Sequence, residues 1–323
     1  MALRKEQMEK ESELKSEQYR IDKWIYSFPI LSVITLFYHL LFLFGIEGTW
    51  RLIVYYFAPF FIAIIAVIFF IVGVIRSIRK KPYLGAYRLI GLLGLLFFPL
   101  SYFYRADYAG TFFNAYPSSH DGKISEVKFE IPIDTTLTVA WGGKSLNENY
   151  HVTEPDQRWA YDLFVMRDGF SFKGDSTNLA NYFCYGLPII APADGKIMEV
   201  VDTMPDMAIG DLSEESYPNG NYIVLKVAEN EYLLLCHLKP NSIKVKVGEF
   251  VKQGKEIASV GNSGHTSEPH LHIQLQDDIS YGEGIPLYFY NYIANGKLVP
   301  KGIPTGGIDK HGNFVGQTIY SVK

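Results

Sequence analysis

The amino-acid sequence predicts a chain of two parts, a region of three transmembrane helices followed by an extracytoplasmic all-β domain built on an antiparallel sheet. Three observations predict this fold class. Hydrophobic residues make up 48% of the chain, and most of the excess lies before residue 106. Beyond about residue 128 the helical period disappears, and short apolar runs follow one another between turn residues. Lysine and arginine are distributed unevenly around the hydrophobic runs.

The hydrophobic excess falls into three runs, residues 24–46, 52–75 and 83–104. The first two carry no charge, and the third is interrupted only by Arg88. Each run reaches the ~20 residues that a helix needs to cross a bilayer. Arg88 lies near one end of its run, where its long side chain can reach the headgroups. We therefore predict three membrane spans in preference to a buried helical hairpin.

The basic residues predict the orientation of these spans. They are concentrated before the first span and after the second, at Arg4, Lys5, Lys10, Lys15, Arg20, Lys23, Arg76, Arg79, Lys80 and Lys81. Only Arg51 lies between the first two spans, and Arg105 follows the third. The positive-inside rule then makes residues 1–23 a charged cytoplasmic tail and places the chain beyond residue 105 outside. We expect a multi-pass protein of the cell membrane with a cytoplasmic N-terminus.

Composition excludes several classes of protein. The net charge of −4 gives no basic field for nucleic acid. With only two cysteines, Cys184 and Cys236, the chain has neither a disulfide framework nor a cysteine-rich metal site. We expect both thiols to be free and buried, with a single bond between them as the alternative.

The outer part is predicted to contain a linker and leading strand at 106–135, a β-domain at 136–278 and a C-terminal extension at 279–323. Within it, short apolar runs between turn signals predict strands at Leu137–Trp141, Leu187–Ala191, Tyr222–Val227, Tyr232–His237 and His270–Leu275. Long connections near 166–182 and 203–219 are either walls of a substrate groove or insertions without a role. The extension is either an added hairpin or a segment at the membrane surface.

Histidines at the ends of two predicted strands are candidate site residues. Side chains alternate across a strand, so His270 and His272 share one face of theirs, while Leu271 and Ile273 share the other, apolar face. His237 ends another strand. Two imidazoles on one face suit a metal and its bound water, although H-x-H alone is a weak signal.

Asp162 follows the apolar residues Trp159, Ala160 and Tyr161. A carboxylate there needs something to compensate its charge, and a zinc ion, which takes carboxylate and imidazole ligands, would do so.

These residues stand in an order that resembles the lysostaphin-type (LytM-like) zinc metallopeptidases. The resemblance covers about residues 145–278 and rests on GLPIIAPADG at 186–195, GNYIVL at 220–225, CHL at 236–238, VGEFVKQG at 247–254, and GNSG at 261–264 leading to PHLH at 269–272. It implies the family's lysostaphin-like, duplicated-hybrid-motif β-fold. It also implies one zinc ion per chain, hydrolysis of peptide crosslinks in bacterial peptidoglycan, and a peptidoglycan peptide as substrate.

Carried over residue by residue, the resemblance makes Asp162 and His272 zinc ligands, and His237 and His270 the catalytic pair. The family's first ligand is a histidine four residues before the aspartate, where this chain has Arg158. We hypothesise that His151 takes its place.

Two other functions are compatible with parts of the sequence. Because Arg158 stands where the family has its first zinc ligand, a catalytically inactive scaffold that regulates other cell-wall hydrolases remains an alternative. The spacing of VGEFVKQG also occurs in lipoyl and biotinyl carriers, which need an exposed lysine at a tight turn. The histidine pair that follows favours the hydrolase over both.

Overall fold

The computed structural model describes residues 4–13, 50–55, 57, 61, 64, 68, 115, 116 and 118–322. The chain divides into two compact units, Met1–Phe112 and Phe113–Lys323.

In the first unit, residues 4–13 are helical and exposed, and Glu6 pairs with Lys10 across one turn at 3.7 Å. Residues 50–55, 57, 61, 64 and 68 are also helical. The predicted spans 24–46 and 83–104 lie outside the described residues, and span 52–75 is described only in part. Among the residues that the structure describes, no helix combines the length and the apolar character needed to cross a bilayer. The three-helix membrane region thus remains a prediction.

The second unit is built of β-strands joined by turns. Its strands are β1 Leu137–Trp141, β2 Tyr161–Phe164, β3 Pro188–Ile190, β4 Gly195–Val201, β5 Asn221–Ala228, β6 Glu231–Leu238, β7 Phe250–Val251, β8 Glu256–Ser259, β9 Leu271–Gln276, β10 Phe289–Ala294, β11 Lys297–Gly302 and β12 Thr318–Ser321. Two short 3-10 turns occur at Tyr150–Thr153 and Leu179–Asn181. The five predicted strands all form, with ends shifted by at most one residue.

Ten of the strands form one antiparallel sheet in the order β11-β10-β12-β1-β2-β9-β6-β5-β4-β7, and β3 pairs with β8 in a second, small sheet. This confirms the predicted large antiparallel all-β architecture. The sequence did not predict β2, β4, β7, β8 or β12 as strands. For the C-terminal extension it offered an added hairpin as one alternative, and β10 and β11 form such a hairpin. Strand β12 then joins the extension to the large sheet, where Ile319 pairs with Leu137 of β1.

The hydrophobic core lies on one face of the large sheet. Leu271, Ile273 and Leu275 of β9 are fully buried there, in one cluster with Ile189 of β3 and Ile257 of β8. The small sheet therefore covers this face of the large one. The opposite face of β9 carries the histidines, as the alternation of side chains predicts.

Both cysteines are buried and unbonded, as expected from the sequence. Burial raises the pKa of the Cys184 thiol to about 12, and it also raises the pKa of Cys236. Both thiols therefore stay protonated at neutral pH and pack as small apolar side chains.

Candidate metal centre

The site begins as a row of side chains across three neighbouring strands. β9 lies between β2 and β6, and its His272 pairs in register with Asp162 on one side and with Cys236 on the other. Directly paired residues project from the same face of an antiparallel sheet. Register alone therefore brings the carboxylate of Asp162 beside the imidazole of His272.

Asp162 is held by two histidines, one on each carboxylate oxygen. His272 Nδ1 lies 2.8 Å from Oδ1, and His151 Nε2 lies 3.0 Å from Oδ2. His151 reaches this position from the 3-10 turn Tyr150–Thr153, in which the backbone N–H of His151 donates to the Asn149 side chain. Asn149 is itself fully buried and donates to the carbonyl of Ala160, just before β2. The turn is thus fixed against the strand that carries Asp162.

His237 and His270 lie beside this group, with ring centroids 4.9 Å apart. Each turns Nδ1 towards a backbone carbonyl, that of Ser263 at 2.9 Å for His237 and that of Glu268 at 2.8 Å for His270. A carbonyl only accepts, so Nδ1 carries the proton in both rings and Nε2 is the nitrogen left for other partners. For His270, Nε2 lies 3.5 Å from Asp162 Oδ1.

The backbone at His237 is strained. Its φ is +60°, in the left-handed region that non-glycine residues seldom adopt. The residue is the last but one of β6, before the buried Leu238, and the hydrogen bond from its ring to the Ser263 carbonyl holds it in place. Strain of this kind is concentrated at functional sites, where the surrounding structure compensates for it.

Burial and charge shift the pKa values of the group in opposite directions. Burial alone would raise the pKa of Asp162, but the neighbouring His151 and His270 hold it well below its usual range. Burial lowers the pKa of His151, and it lowers that of His237 strongly, assisted by the charges of His270 and His272. For His270, the attraction of Asp162 overcomes burial, and its pKa is raised.

The donor atoms of His151, Asp162 and His272 fit a metal ion. All three residues are buried, and one donor atom of each lies within 4.8 Å of the others. Two imidazoles and a carboxylate are the donor set of catalytic zinc sites, which keep a further position open. A cation held between the Asp162 carboxylate and the two ring nitrogens would compensate the buried negative charge.

Arg158, at the position where the resemblance places a histidine, does not enter the site. Its guanidinium lies 4.2 Å from the centroid of the Trp159 ring, and Nε donates to the carbonyl of Tyr116. The structure therefore brings together the five residues predicted from the sequence, including His151, and directs Arg158 to the segment before β1.

The donor group opens into a cleft of about 390 Å³. Aromatic residues from separate parts of the fold line it, Trp141 of β1, Tyr150, Phe164 of β2, and Phe314 from the C-terminal extension. Leu212, Pro218 and Asn219 form a wall. The predicted connection 203–219 is thus a wall of the cleft, whereas no described residue of 166–182 lines it.

Sequence reasoning missed two kinds of residue around the site. Gln274 accepts a hydrogen bond from His272, with 2.8 Å between Nε2 and Oε1. The alternation of side chains along the strand places Gln274 on the same face as His272, but no role was assigned to it from the sequence. Phe314 packs on Phe164, which stacks on His270 with nearly parallel rings. No sequence pattern predicts the position of Phe314, because the tertiary fold alone brings this residue to the cleft.

A second group of side chains with metal-binding atoms lies outside the cleft and consists of His120, Asp277 and Glu283. His120 Nε2 lies 2.9 Å from Asp277 Oδ2. The Glu283 carboxylate accepts hydrogen bonds from the hydroxyls of Tyr116 and Ser119. These contacts tie the segment before β1 to the loop after β9.

A carboxylate flanked by two imidazoles beside a cleft is the donor set that catalytic zinc sites use. Residues 180–283 match the model of Peptidase family M23. The matched range contains His237, His270 and His272, whereas His151 and Asp162 precede it. An M23, LytM-like peptidase domain is thus supported for this part of the chain.

Relatives of known sequence agree with this family. An uncharacterised metalloprotease of Haemophilus influenzae is 33% identical over 90 residues, which is 28% of this chain and 16% of that protein. The peptidoglycan DD-endopeptidase ShyB of Vibrio cholerae is 31% identical over 90 residues, 28% of this chain and 18% of that protein. The chain therefore matches less than a fifth of the length of these relatives.

Among solved structures, the catalytic domain of lysostaphin from Staphylococcus simulans is 22% identical. The match covers 46% of this chain and 86% of that one, with a TM-score of 0.28.

Proposed function

We propose that this chain is a membrane-anchored zinc metalloendopeptidase that hydrolyses peptide crosslinks in bacterial peptidoglycan. The observation that carries the proposal is the approach of His151 and His272 to opposite oxygens of the buried Asp162 carboxylate. These three residues would hold one zinc ion per chain.

Zinc bound by three protein ligands supplies a Lewis acid and makes water a nucleophile near pH 7. The chain's own contribution to the chemistry comes from His237 and His270. Both have Nδ1 engaged by a backbone carbonyl, so each can use Nε2 to receive or return a proton. Between them they take the proton from the attacking water and deliver one to the departing amine. The two rings are largely buried beside the cleft, and the lower effective dielectric constant there strengthens these interactions.

The substrate proposal rests on the relatives. ShyB and ShyC of Vibrio cholerae are named peptidoglycan DD-endopeptidases, and ShyC is 36% identical over 75 residues. The cleft agrees with a peptide, since aromatic side chains line it and no lysine or arginine does so among the described residues.

The membrane proposal rests on the hydrophobic runs 24–46, 52–75 and 83–104 and on the basic residues around them. With the N-terminus in the cytoplasm, three crossings place the β-domain on the side where peptidoglycan lies. An integral membrane anchor would then confine the enzyme to wall close to the membrane surface.

The inactive scaffold remains the competing proposal. It drew its support from Arg158, at the position of the family's first ligand. The proximity of His151 Nε2 to Asp162 supports the hydrolase instead, because it supplies a third donor.

The test is the zinc content of the purified full-length chain, together with its hydrolysis of crosslinked muropeptides. We expect about one zinc ion per chain, with activity lost on chelation and restored by zinc. Asp162→Ala and His272→Ala should lose zinc and activity together. A folded wild-type chain without zinc and without activity would support the scaffold, and activity that survives either substitution would refute the ligand assignment.

A further inference from the structure

The face of β9 that carries His272 continues as a line of buried amides. Gln274 and Gln276 follow His272 at every second residue and are 3% and 0% exposed. Each of these side chains is hydrogen-bonded to the next one along the strand. His272 Nε2 lies 2.8 Å from Gln274 Oε1, Gln274 Nε2 lies 2.6 Å from Gln276 Oε1, and Gln276 Nε2 lies 2.7 Å from the carbonyl oxygen of Asp278.

The direction of these bonds is set at the far end. The backbone carbonyl of Asp278 can only accept, so Gln276 must turn its amide NH2 towards it. The oxygen of Gln276 then faces Gln274, which must in turn present its own NH2 there. This leaves the oxygen of Gln274 facing His272, and His272 must carry a proton on Nε2. The Asp278 carbonyl thereby sets the tautomer of His272 through two intervening amide side chains.

The consequence falls on the nitrogen at the other side of the ring. With the proton on Nε2, the neutral His272 ring presents the lone pair of Nδ1 to the donor group around Asp162. Nδ1 lies 2.8 Å from Asp162 Oδ1. A lone pair and a carboxylate oxygen at this distance repel each other unless a proton or a metal ion lies between them. The amide line therefore prepares the ring as a metal ligand before any metal arrives.

We propose that Gln274, oriented by Gln276, is a positioning residue that fixes His272 in the Nε2–H tautomer and aims Nδ1 at the zinc ion. The inference rests on the proposed function, because it assigns how one ligand of the same site is prepared. Histidine ligands of metals generally donate their second N–H to an acceptor, and loss of that acceptor costs about 10- to 100-fold in metal affinity.

The end of the amide line is anchored by the loop that follows β9. Asp277, next to the accepting carbonyl, pairs with His120, and the backbone N–H of Glu283 donates to the Asp277 carboxylate. Glu283 in turn accepts from Tyr116 and Ser119. The carbonyl that sets the direction of the line is thus held by the segment that precedes β1.

The test compares three variants of the full-length chain by zinc affinity, measured by competition with a chelator of known affinity. Gln274→Met keeps the volume of the side chain and removes the acceptor, and we expect zinc to bind about 10- to 100-fold more weakly. Gln274→Glu keeps an acceptor at the same place and should retain affinity near that of the wild type. Leu275→Met, on the opposite face of the same strand, controls for altered packing and should leave the affinity unchanged.

A second readout separates positioning from mere stability. Chains with 15N-labelled histidine report which ring nitrogen carries the proton in the metal-free protein. We expect the Nε2–H form of His272 in the wild type and a mixture of tautomers in Gln274→Met. Unchanged zinc affinity in a folded Gln274→Met chain, or equal losses in the Met and Glu variants, would overturn the proposal. A wild-type chain that binds no zinc overturns the proposed function instead, so the two failures are distinguishable.

Discussion

His151 Nε2 lies 3.0 Å from Asp162 Oδ2. The two residues come from different elements, since His151 lies in the 3-10 turn Tyr150–Thr153 and Asp162 lies in the following strand, β2. The contact is buried on both sides, with side chains 3% and 6% exposed. The ring's other nitrogen, Nδ1, is buried without a hydrogen-bond partner among the described residues. Among the described residues, the hydrogen-bonding contact of this ring is therefore the one from Nε2 to Asp162, and the ring also packs against Tyr150 and His272.

The first prediction concerns this histidine. His151→Ala should reduce the zinc content of the full-length chain from about one per chain to a small fraction, because two protein ligands remain where catalytic zinc sites have three. Peptidase activity should fall with it. Metal analysis after dialysis against buffer and a muropeptide assay measure both.

His265 provides the matched control, since it lines the same cleft but is exposed and lies outside the donor group. His265→Ala should keep its zinc. If His151→Ala also kept one zinc ion per chain, the third ligand would have to be another residue.

Much of this centre could be predicted from sequence because it depends on local patterns. The alternation in β9 places His270 and His272 opposite the apolar Leu271 and Ile273, and burial of the apolar face then forces the histidines to the other side. The same alternation applies to Asp162 in β2. Its neighbours Tyr161 and Leu163 are buried in the core, so the Asp162 side chain lies on the opposite face of the strand, with the histidines.

The position of His151 required a hypothesis, because nothing local fixes it. Its approach to Asp162 depends on a 3-10 turn, on the cap by Asn149 and on the bond from Asn149 to Ala160. Phe314 lay further beyond reach, since it enters the cleft only after β10, β11 and the return of the chain towards β12. The β-strands of the extension carry weak alternation, with three prolines and several glycines in or near them.

The second prediction separates catalysis from metal binding at His237. Asparagine tolerates the left-handed backbone conformation of this residue better than most side chains do. His237→Asn should therefore fold and keep its zinc while losing the ring that transfers protons. We expect kcat to fall about 10²- to 10⁴-fold. Activity within tenfold of the wild type would remove His237 from the proposed chemistry, whereas loss of zinc would make it a structural support of the ligands.

The third prediction concerns the pH dependence of stability in the metal-free protein. The folded-state pKa of His237 lies well below its ordinary value of 6.5, and that of His151 is also lowered. Below about pH 6.5 the unfolded chain therefore binds protons that the folded chain does not, and the free energy of unfolding falls as the pH is lowered. The depressed pKa of Asp162 acts only in far stronger acid, since its contribution is lost as the pH falls through that low value.

Urea unfolding between pH 7 and pH 5 measures this dependence. His270, whose pKa is raised, has the opposite sign and adds stability that is lost as the pH rises above about 6.5. The His237→Asn variant should show a weaker decline towards pH 5 than the wild type. Equal declines in the two proteins would mean that the buried His237 ring is not responsible.

The fourth prediction concerns the membrane topology. A phosphatase reporter that folds only outside the cytoplasm should be active when fused after Lys323, because three crossings bring the β-domain outside. The matched control is the same reporter fused after residue 81, in the basic loop that is predicted to be cytoplasmic, where it should be inactive. Activity only at the second position would reverse the proposed orientation.

The fifth prediction tests the contribution of the C-terminal extension to the cleft. Phe314 packs on Phe164 with ring centroids 5.0 Å apart, and Phe164 stacks on His270 at 4.9 Å. Phe314→Ala removes an aromatic pair worth about 0.5–1.5 kcal/mol of stability. It also removes an apolar wall of the cleft, while every proposed ligand stays in place. We therefore expect unchanged zinc content and a higher KM for crosslinked muropeptides, with kcat affected less. Val315→Ala, at an exposed neighbour outside the cleft, should change neither constant. If Phe314→Ala lowered kcat and left KM unchanged, the ring would act by supporting His270 through Phe164, and the extension would belong to the catalytic machinery instead of the substrate-binding wall.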